Sequence, residues 1–140
     1  MGQKFVTQRR IEFCETDAAG ITHFASYLCY MEQAEHCFLR SLGLTVSQDQ
    51  GDGWHLSWPR VHVECDFKGS AAFEDILEIA VSVLRMGEKS ITYRFDFSRS
   101  DKPIASGKVV TVCCRVRAGF PLQSASIPSE FTTLLKPFCE

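Results

Sequence analysis

The hydrophobic period of this chain changes once, at Pro59, and that change restricts the folds that it can adopt. Before it, apolar residues between Tyr27 and Leu42 recur every three or four positions, a spacing typical of an amphipathic helix. Gly43 follows, as expected where a helix ends. After Pro59, apolar residues recur at every second position, which is the period of a strand with one buried face. The pattern predicts one long helix followed by a sheet.

Four strands are expected after the helix, and a weaker strand, residues 5–13, is expected before it. The predicted inward faces of the four strands are Val61, Val63, Cys65 and Phe67; Leu77, Ile79, Val81 and Val83; Ile91, Tyr93, Phe95 and Phe97; and Val110, Val112, Cys114 and Val116. Short connections such as RMGEKS and SRSDKP suit hairpins, so the strands are expected to be antiparallel neighbours. This order predicts an α+β fold in which one helix packs on a curved antiparallel sheet.

A chain of 140 residues is the size of one domain, so we expect a single unit, 1–140. Its core is expected to run from about residue 5 to 117, followed by a frayed tail, 118–140, with one or two helical turns. The polar connection 45–58 is long enough to act as a lid.

Charge and cysteine usage exclude several classes of protein. The chain has 15 Lys and Arg against 17 Asp and Glu without a basic cluster, so binding of nucleic acid or of a membrane surface is not expected. No apolar run suggests a signal peptide or a membrane span, which predicts a cytoplasmic protein. The seven cysteines lack paired metal-ligand spacing, so we expect reduced thiols and no metal site.

The turn TDAAG places one carboxylate, Asp17, just ahead of the predicted helix. Backbone N–H groups at a helix start, here between Gly20 and Ser26, can stabilise negative charge on the oxygen of a carbonyl under attack. A carboxylate nearby can attack that carbonyl carbon or activate a water molecule. A plain turn or N-cap acid is the alternative interpretation of Asp17.

Two stretches resemble a known family. RIEFCETDAAGITHFASYLCYMEQAEHCFLRSLGL is similar to the N-terminal signature of the 4-hydroxybenzoyl-CoA thioesterase group of hotdog-fold proteins, and VECDFKGSAAFEDILEIAVSVLRMGEKSITYRFDF is similar to that group's middle strands. The resemblance spans roughly residues 6–116. It implies a single hotdog domain that hydrolyses an acyl-CoA thioester. Coenzyme A is then part of the substrate, and no cofactor is implied.

The resemblance also implies roles for residues near the turn. Asp17 becomes the catalytic carboxylate, and the backbone N–H of Phe24 becomes the main oxyanion donor. Related sequences often carry His or Tyr at that position, but Phe24 retains the backbone donor. Gly20 permits close approach of the acyl group or a positive φ. His23 either lines the pocket or is structural.

Other positions are candidates for binding the substrate. Tyr27 matches an aromatic position of the family, with core packing as the alternative interpretation. Lys89 and Ser90 match family positions near the nucleotide end of coenzyme A, and Arg60 and Arg85 are further candidates for its phosphates. The candidate aromatic residues of an acyl pocket are Phe24, Trp54, Trp58 and Phe73.

Three alternative functional assignments and the oligomeric state remain open. In another branch of hotdog thioesterases the acid lies on the helix, which makes Glu32 and Glu35 reserve candidates. The chain is otherwise a non-catalytic acyl-CoA-binding protein, or a cysteine-dependent acyltransferase with Cys14 as nucleophile and His23 as base. Because one subunit leaves a sheet edge open, we expect a homodimer or homotetramer with the site between subunits.

Overall fold

The computed structural model describes residues 2–140 and contains one long helix packed on a five-stranded antiparallel sheet. The strands are β1 (Phe5–Arg10), β2 (Gln48–Asp49), β3 (His55–Ser57), β4 (Arg60–Phe67), β5 (Ile76–Met86), β6 (Ser90–Arg99), β7 (Lys102–Val112), β8 (Cys114–Val116) and β9 (Gln123–Ser124). The helices are α1 (Ser26–Ser41) and α2 (Ser129–Leu135), with 3₁₀ turns at Phe13–Glu15 and Lys136–Phe138. The predicted α+β class is confirmed. Within residues 2–140, no helix has the length and hydropathy to span a membrane.

The main sheet has the order β1-β5-β6-β7-β4, with every pair antiparallel. The predicted inward faces of β5 and β6 are confirmed, because each of their eight residues is at most 2% exposed. Phe95 lies at the centre, opposite Val81 on β5 and Gly107 on β7. Alternation of large apolar and polar residues sets this register, since a shift by one residue would expose the whole apolar set.

Helix α1 lies within one residue of the predicted bounds at each end. Its termination by Gly43 is confirmed, because this residue has a φ of +76° and donates its N–H to the Arg40 carbonyl at 3.0 Å. The helix packs closely on the sheet at Met31, which faces Gly107 of β7. A Cβ at position 107 would collide with the Met31 sulfur, so the glycine lets the helix approach the strand.

The predicted buried faces of two strands are wrong. β4 is an edge strand, and its Val61, Val63 and Phe67 are exposed by 62, 43 and 50%, because nothing in one subunit covers them. β7 buries Ala105, Gly107, Val109 and Thr111 instead of the face with Val110 and Val112. The run Val109–Val112 consists of β-formers on both faces, so only pairing with β6 decides which face turns inward.

The predicted frayed tail is also wrong. Phe131 and Leu135 of α2 are fully buried, and the ring of Phe131 lies 5.0 Å from that of Trp58. The C-terminal residue Glu140 donates its N–H to the Val83 carbonyl at 2.9 Å. The core therefore extends well beyond residue 117. The connection expected to act as a lid forms strands β2 and β3 of a second sheet, β2-β3-β8-β9.

Candidate active site

The TDAAG turn is a closed loop held by its own backbone. The Asp17 N–H donates to the Ile21 carbonyl at 2.9 Å, and the Gly20 N–H donates to the Asp17 carbonyl at 3.0 Å. Gly20 has a φ of +79°, a conformation that a glycine adopts without strain. A Cβ at Gly20 would meet open space, so the positive φ, and not close packing, explains this glycine.

Asp17 is half-buried, and one of its two carboxylate oxygens accepts a hydrogen bond. Its Oδ1 accepts the Ala19 N–H at 2.9 Å, which fixes the side chain over the turn. Within residues 2–140, Oδ2 accepts no hydrogen bond and meets no cation. One oxygen thus orients the group, and the other stays free for a proton or a carbon centre.

Asp17 opens into a cavity of about 150 Å³ at the start of α1. The lining residues are Asp17, Ile21, Thr22, Phe24, Tyr27, Phe67, Gly69, Ser70 and Ala71. Thr22 holds the two walls together, because its N–H and its hydroxyl both donate to the Ala71 carbonyl, at 2.7 and 2.9 Å. The structure therefore brings Asp17, Phe24 and Tyr27 together around one small, mostly apolar space.

Most of the backbone N–H groups expected to stabilise an oxyanion already donate a hydrogen bond within the protein. Those with an acceptor belong to Gly20, Thr22, His23, Ala25 and Ser26. In the part of the chain that the structure describes, the N–H groups of Ile21 and Phe24 have no acceptor. Of these two, Phe24 is the nearer to α1, two residues before Ser26, the first residue of the helix, where the helix dipole favours negative charge.

The contacts of His23 support a structural role for this residue, and not a role in lining the pocket. Its Nδ1 accepts the Ala25 N–H at 3.0 Å, so that nitrogen is unprotonated and occupied. The ring stacks on Phe24 with 4.6 Å between centroids. His23 does not line the Asp17 cavity. It shapes the backbone that leads into the helix, and thereby positions Phe24.

A polar network behind the turn was missed by sequence reasoning. Tyr30 donates its hydroxyl to Glu15 Oε1 at 2.9 Å, and Arg9 pairs with the same carboxylate. Burial and the hydrogen bond to Glu15 raise the pKa of Tyr30, because both disfavour its ionised form. The Glu15 carbonyl also accepts the N–H of His23 and the hydroxyl of Ser26. These contacts fix the turn against α1, but they join residues too far apart in sequence for a motif.

The remaining predicted binding residues do not meet Asp17 within one subunit. Ser90 is the first residue of β6 and Lys89 directly precedes it, whereas Phe97 of the same strand packs on Tyr27. Seven residues of strand separate Ser90 from Phe97, which is about 23 Å. Of the predicted pocket aromatics, Phe24 lines the Asp17 cavity. The other three pack elsewhere, in the pairs Trp54–Phe120, Trp58–Phe131 and Phe73–Phe13. Among residues from Gly2 to Glu140, no hydrogen bond joins Cys14 to His23.

A second cavity, of about 250 Å³, lies further along α1 beside β4. Its lining residues are Leu28, Cys29, Glu32, Glu35, Arg60, Val63 and Val109. The Glu35 carboxylate is only 2% exposed, and its Oε2 lies 3.1 Å from the Arg60 guanidinium. Burial raises the pKa of Glu35 to about 7, and Arg60 offsets only part of that effect. Arg60 is therefore paired and is not one of the free surface cations expected for phosphates.

We expect Glu35→Gln to change the pH dependence of stability. The pKa of Glu35 rises from 4.5 to about 7 on folding, so the stability that its proton contributes is complete below pH 4.5 and is lost as the pH rises to 7. At about 1.4 kcal/mol per pH unit, that loss amounts to roughly 3 kcal/mol. The glutamine side chain of the variant does not titrate. Urea denaturation measures the free energy of unfolding of both proteins. The value for the variant minus the value for wild type should increase by about 3 kcal/mol from about pH 4 to pH 8. A constant difference across this range would contradict the raised pKa.

Comparisons with known proteins identify the family of this chain. A sequence model of the thioesterase-like superfamily matches residues 11–135. A putative esterase from Aquifex aeolicus is 32% identical, over 94% of this chain and 98% of its own length. A 1,4-dihydroxy-2-naphthoyl-CoA hydrolase from Synechococcus elongatus is 28% identical, over 76% of this chain and 78% of its own length.

The fold is shared with solved structures. The crystal structure of a 1,4-dihydroxy-2-naphthoyl-CoA thioesterase from Synechocystis has a TM-score of 0.82 at 21% identity, with 96% of each chain covered. The family resemblance of the N-terminal motif is confirmed by the match over residues 11–135. This chain belongs to the thioesterase-like superfamily and has the hotdog fold.

Proposed function

We propose that this protein hydrolyses the thioester of an acyl- or aryl-coenzyme A, with Asp17 as the catalytic carboxylate and the Phe24 N–H as the oxyanion donor. One observation carries the proposal. Asp17, whose carboxylate has a free oxygen, and Phe24, whose backbone N–H has no acceptor within residues 2–140, line the same 150 Å³ cavity at the start of a helix. A thioester carbonyl between them would meet an attacking group on its carbon and a fixed donor at its oxygen.

The reaction needs only this carboxylate, the donor and water. Asp17 either removes a proton from a water molecule that adds to the carbonyl carbon, or adds to that carbon itself and forms an anhydride that water opens. In both routes the carbonyl oxygen gains negative charge, which the Phe24 N–H stabilises. The carbon–sulfur bond then breaks, and the thiolate of coenzyme A takes up a proton. The products are the free acid and coenzyme A.

Two further residues, one in the turn and one in the cavity, have supporting roles in this proposal. Gly20 allows the positive φ that closes the turn under Asp17. Tyr27 is 3% exposed and packs edge-on against Phe67, with 5.3 Å between centroids. Its ring forms an apolar floor, where an acyl group would be shielded from water. Similarity to hydrolases of aryl-CoA thioesters makes aryl groups the first substrates to test.

We also propose that two copies pair through β4. Val61, Val63 and Phe67 form an exposed apolar face on this edge strand. The opposite edge, β1, ends in Arg9 and Arg10, and charged side chains discourage pairing at an edge. In such a dimer the far end of one subunit's sheet, with Lys89 and Ser90, is available to the coenzyme A held by the partner.

Val63→Asp should weaken this dimer at least about tenfold in its dissociation constant, because a carboxylate would be buried at the interface without a partner. Sedimentation velocity at several concentrations measures the effect. Val6→Asp is a matched control, since Val6 is 51% exposed on the opposite edge strand, and its dimer should be unchanged. Wild-type protein that sediments as a monomer at micromolar concentration, or equal effects of both variants, would contradict pairing through β4.

Release of free thiol from a panel of acyl-CoA and aryl-CoA thioesters tests the proposed function. We expect turnover of at least one aryl or medium-chain member, with a rate proportional to enzyme concentration. Binding of a thioester without release of thiol would identify a non-catalytic acyl-CoA-binding protein instead. Cys14→Ser should retain nearly full activity, since Cys14 is an exposed residue outside the Asp17 cavity.

A further inference from the structure

A third cavity, of about 270 Å³, lies between strand β1 and helix α1. Of the residues that line it within 2–140, none lines the Asp17 cavity or the cavity beside Glu35. The lining residues that decide what it can bind are Arg9, Tyr30, Ala34, Cys37, Arg40 and Ile79. The cavity is therefore a separate space, with two arginines and an apolar part.

The cavity carries positive charge that no acid balances. Within residues 2–140, no carboxylate lines the cavity or pairs with Arg40. The Arg40 guanidinium donates to the Cys37 sulfur at 3.3 Å, and sulfur is a weak acceptor. Arg9, in contrast, pairs with Glu15. His36 also lines the cavity, but burial lowers the pKa of its ring, so it adds no charge at pH 7. One uncompensated guanidinium suits a ligand with one negative charge.

Unused hydrogen-bond donors accompany this charge. An arginine side chain has five N–H groups, and Arg9 donates three of them, to Glu15, to Gln33 and to the Arg10 carbonyl. Gln33 and Cys37 lie one turn apart on α1, so the two guanidinium groups that bond to them are neighbours. A carboxylate between these groups would accept charge-assisted hydrogen bonds from both.

The floor of the cavity is apolar. Its residues Tyr30, Ala34 and Ile79 are at most 2% exposed, and the Arg9 guanidinium lies 5.0 Å from the centre of the Tyr30 ring. A ligand that fills the cavity therefore needs a compact hydrocarbon or aryl body beside its charge. Inorganic phosphate would bring more than one negative charge and leave the apolar floor uncovered. These features favour an organic carboxylate.

Arg9 connects this cavity to the active-site turn. The same guanidinium pairs with Glu15, which lies two residues before Asp17. The Glu15 carbonyl accepts the His23 N–H at 2.8 Å and the Ser26 hydroxyl at 3.0 Å. An anion bound to Arg9 competes with Glu15 for the charge of the guanidinium. Occupation of the cavity therefore weakens one of the contacts that fix the turn.

We propose that this cavity binds a compact organic carboxylate between Arg40 and Arg9, over the floor of Tyr30, Ala34 and Ile79, and that the bound carboxylate slows the enzyme. The free acid released by thioester hydrolysis belongs to this chemical class, so the site would respond to the product. That regulatory role rests on the proposed function, whereas the binding of a carboxylate does not.

Alkylation of Cys37 reports on this cavity, because the partly buried Cys37 lines it and lines neither of the other two. Benzoate is the probe, and uncharged benzamide is the matched control compound. The rate at which Cys37 reacts with iodoacetamide, followed by mass spectrometry of its peptide, should fall as benzoate is added. The midpoint gives the dissociation constant. Benzamide, and inorganic phosphate at the same ionic strength, should give no protection.

Arg40→Gln should weaken benzoate binding at least about tenfold, because it removes a charge-assisted hydrogen bond. Arg40 is exposed, so the variant should fold. Arg10→Gln is the matched control, since Arg10 is exposed on the same strand as Arg9 and does not line the cavity, and it should bind benzoate as wild type does. Midpoints are compared, and not absolute rates, because Arg40 contacts the sulfur that is alkylated.

Three results would overturn the site. They are no protection of Cys37 by benzoate, protection by benzamide equal to that by benzoate, and equal dissociation constants for wild type and Arg40→Gln. Protection by phosphate as strong as that by benzoate would overturn the choice of a carboxylate.

The regulatory role is tested with an aryl-CoA thioester. In wild type, benzoate should lower kcat at saturating thioester, because it binds outside the Asp17 cavity. In Arg40→Gln it should raise only KM, by competing within the Asp17 cavity. An unchanged kcat while Cys37 is protected would overturn the link to the active site. If no thioester is hydrolysed, the proposed function fails, and protection of Cys37 still decides whether the cavity binds a carboxylate.

Discussion

Asp17→Asn is expected to lower kcat/KM for thioester hydrolysis at least about a hundredfold, the loss typical when a general base or nucleophile is removed. The reason lies in the free Oδ2. Asparagine retains an acceptor for the Ala19 N–H, so the turn should keep its conformation, but its amide neither accepts a proton nor attacks a carbonyl. Release of thiol measured beside circular dichroism and sedimentation would show the loss in a protein that is still folded and assembled.

Asp101→Asn is a matched control for this variant. Asp101 lies in the exposed β6–β7 turn with a φ of +66°, a conformation that asparagine tolerates, and it does not line the cavity. We expect wild-type kinetics. If Asp17→Asn retained wild-type activity, the catalytic assignment would be wrong, and the helix acids Glu32 and Glu35 would be examined next. If the loss occurs, a single turnover in ¹⁸O-water identifies a nucleophilic Asp17 whose anhydride water opens at the Asp17 carboxyl carbon, because Asp17 then transfers its own ¹⁶O to the first product.

Phe131→Ala should lower the free energy of unfolding by about 3–5 kcal/mol, the usual cost of removing a buried aromatic side chain. Phe131 is fully buried against Trp58, and α2 reaches the core mainly through this residue and Leu135. The cavity left behind would be lined by rigid core residues that cannot collapse fully into it. Urea denaturation with an unchanged slope measures the loss.

Phe120→Ala provides the matched comparison, since the same side chain is removed at a position that is 53% exposed. Its effect should stay within about 1 kcal/mol. Equal, small effects of both variants would mean that α2 contributes little to the core, as in the frayed tail that the sequence pattern predicted.

Periodicity predicted the elements that one subunit buries by itself. The helix bounds were right to within one residue, and the buried faces of β5 and β6 were assigned correctly, because large apolar residues alternate there with polar ones. The pattern failed at β4 and β7. β4 has a regular apolar face, but the sequence does not show whether the covering surface belongs to the same subunit. In β7 both faces carry valine, Val109 on the buried face and Val110 and Val112 on the other, so the apolar pattern does not distinguish the two faces.

The residues of the candidate site were also predicted only where they lie close together in sequence. Asp17, Phe24 and Tyr27 lie within eleven residues of one another, so a local motif was enough to group them in one cavity. Lys89 and Ser90 do not join them within a subunit, because about 23 Å of β6 separates Ser90 from Phe97, which packs on Tyr27. The Glu35–Arg60 pair joins residues that are 25 positions apart and belong to different elements, so neither residue alone indicated it.

In the proposed dimer, the exposed apolar face of β4 would make the stability of the protein dependent on its own concentration. A separated subunit presents an unpaired strand edge with Val61 and Val63 on its surface, a template on which any extended chain can add a strand. Dilution or heat that separates the subunits therefore exposes them to aggregation before they unfold. Loss of activity on storage should be governed by subunit separation, and a ligand that bridges the two copies should protect the enzyme.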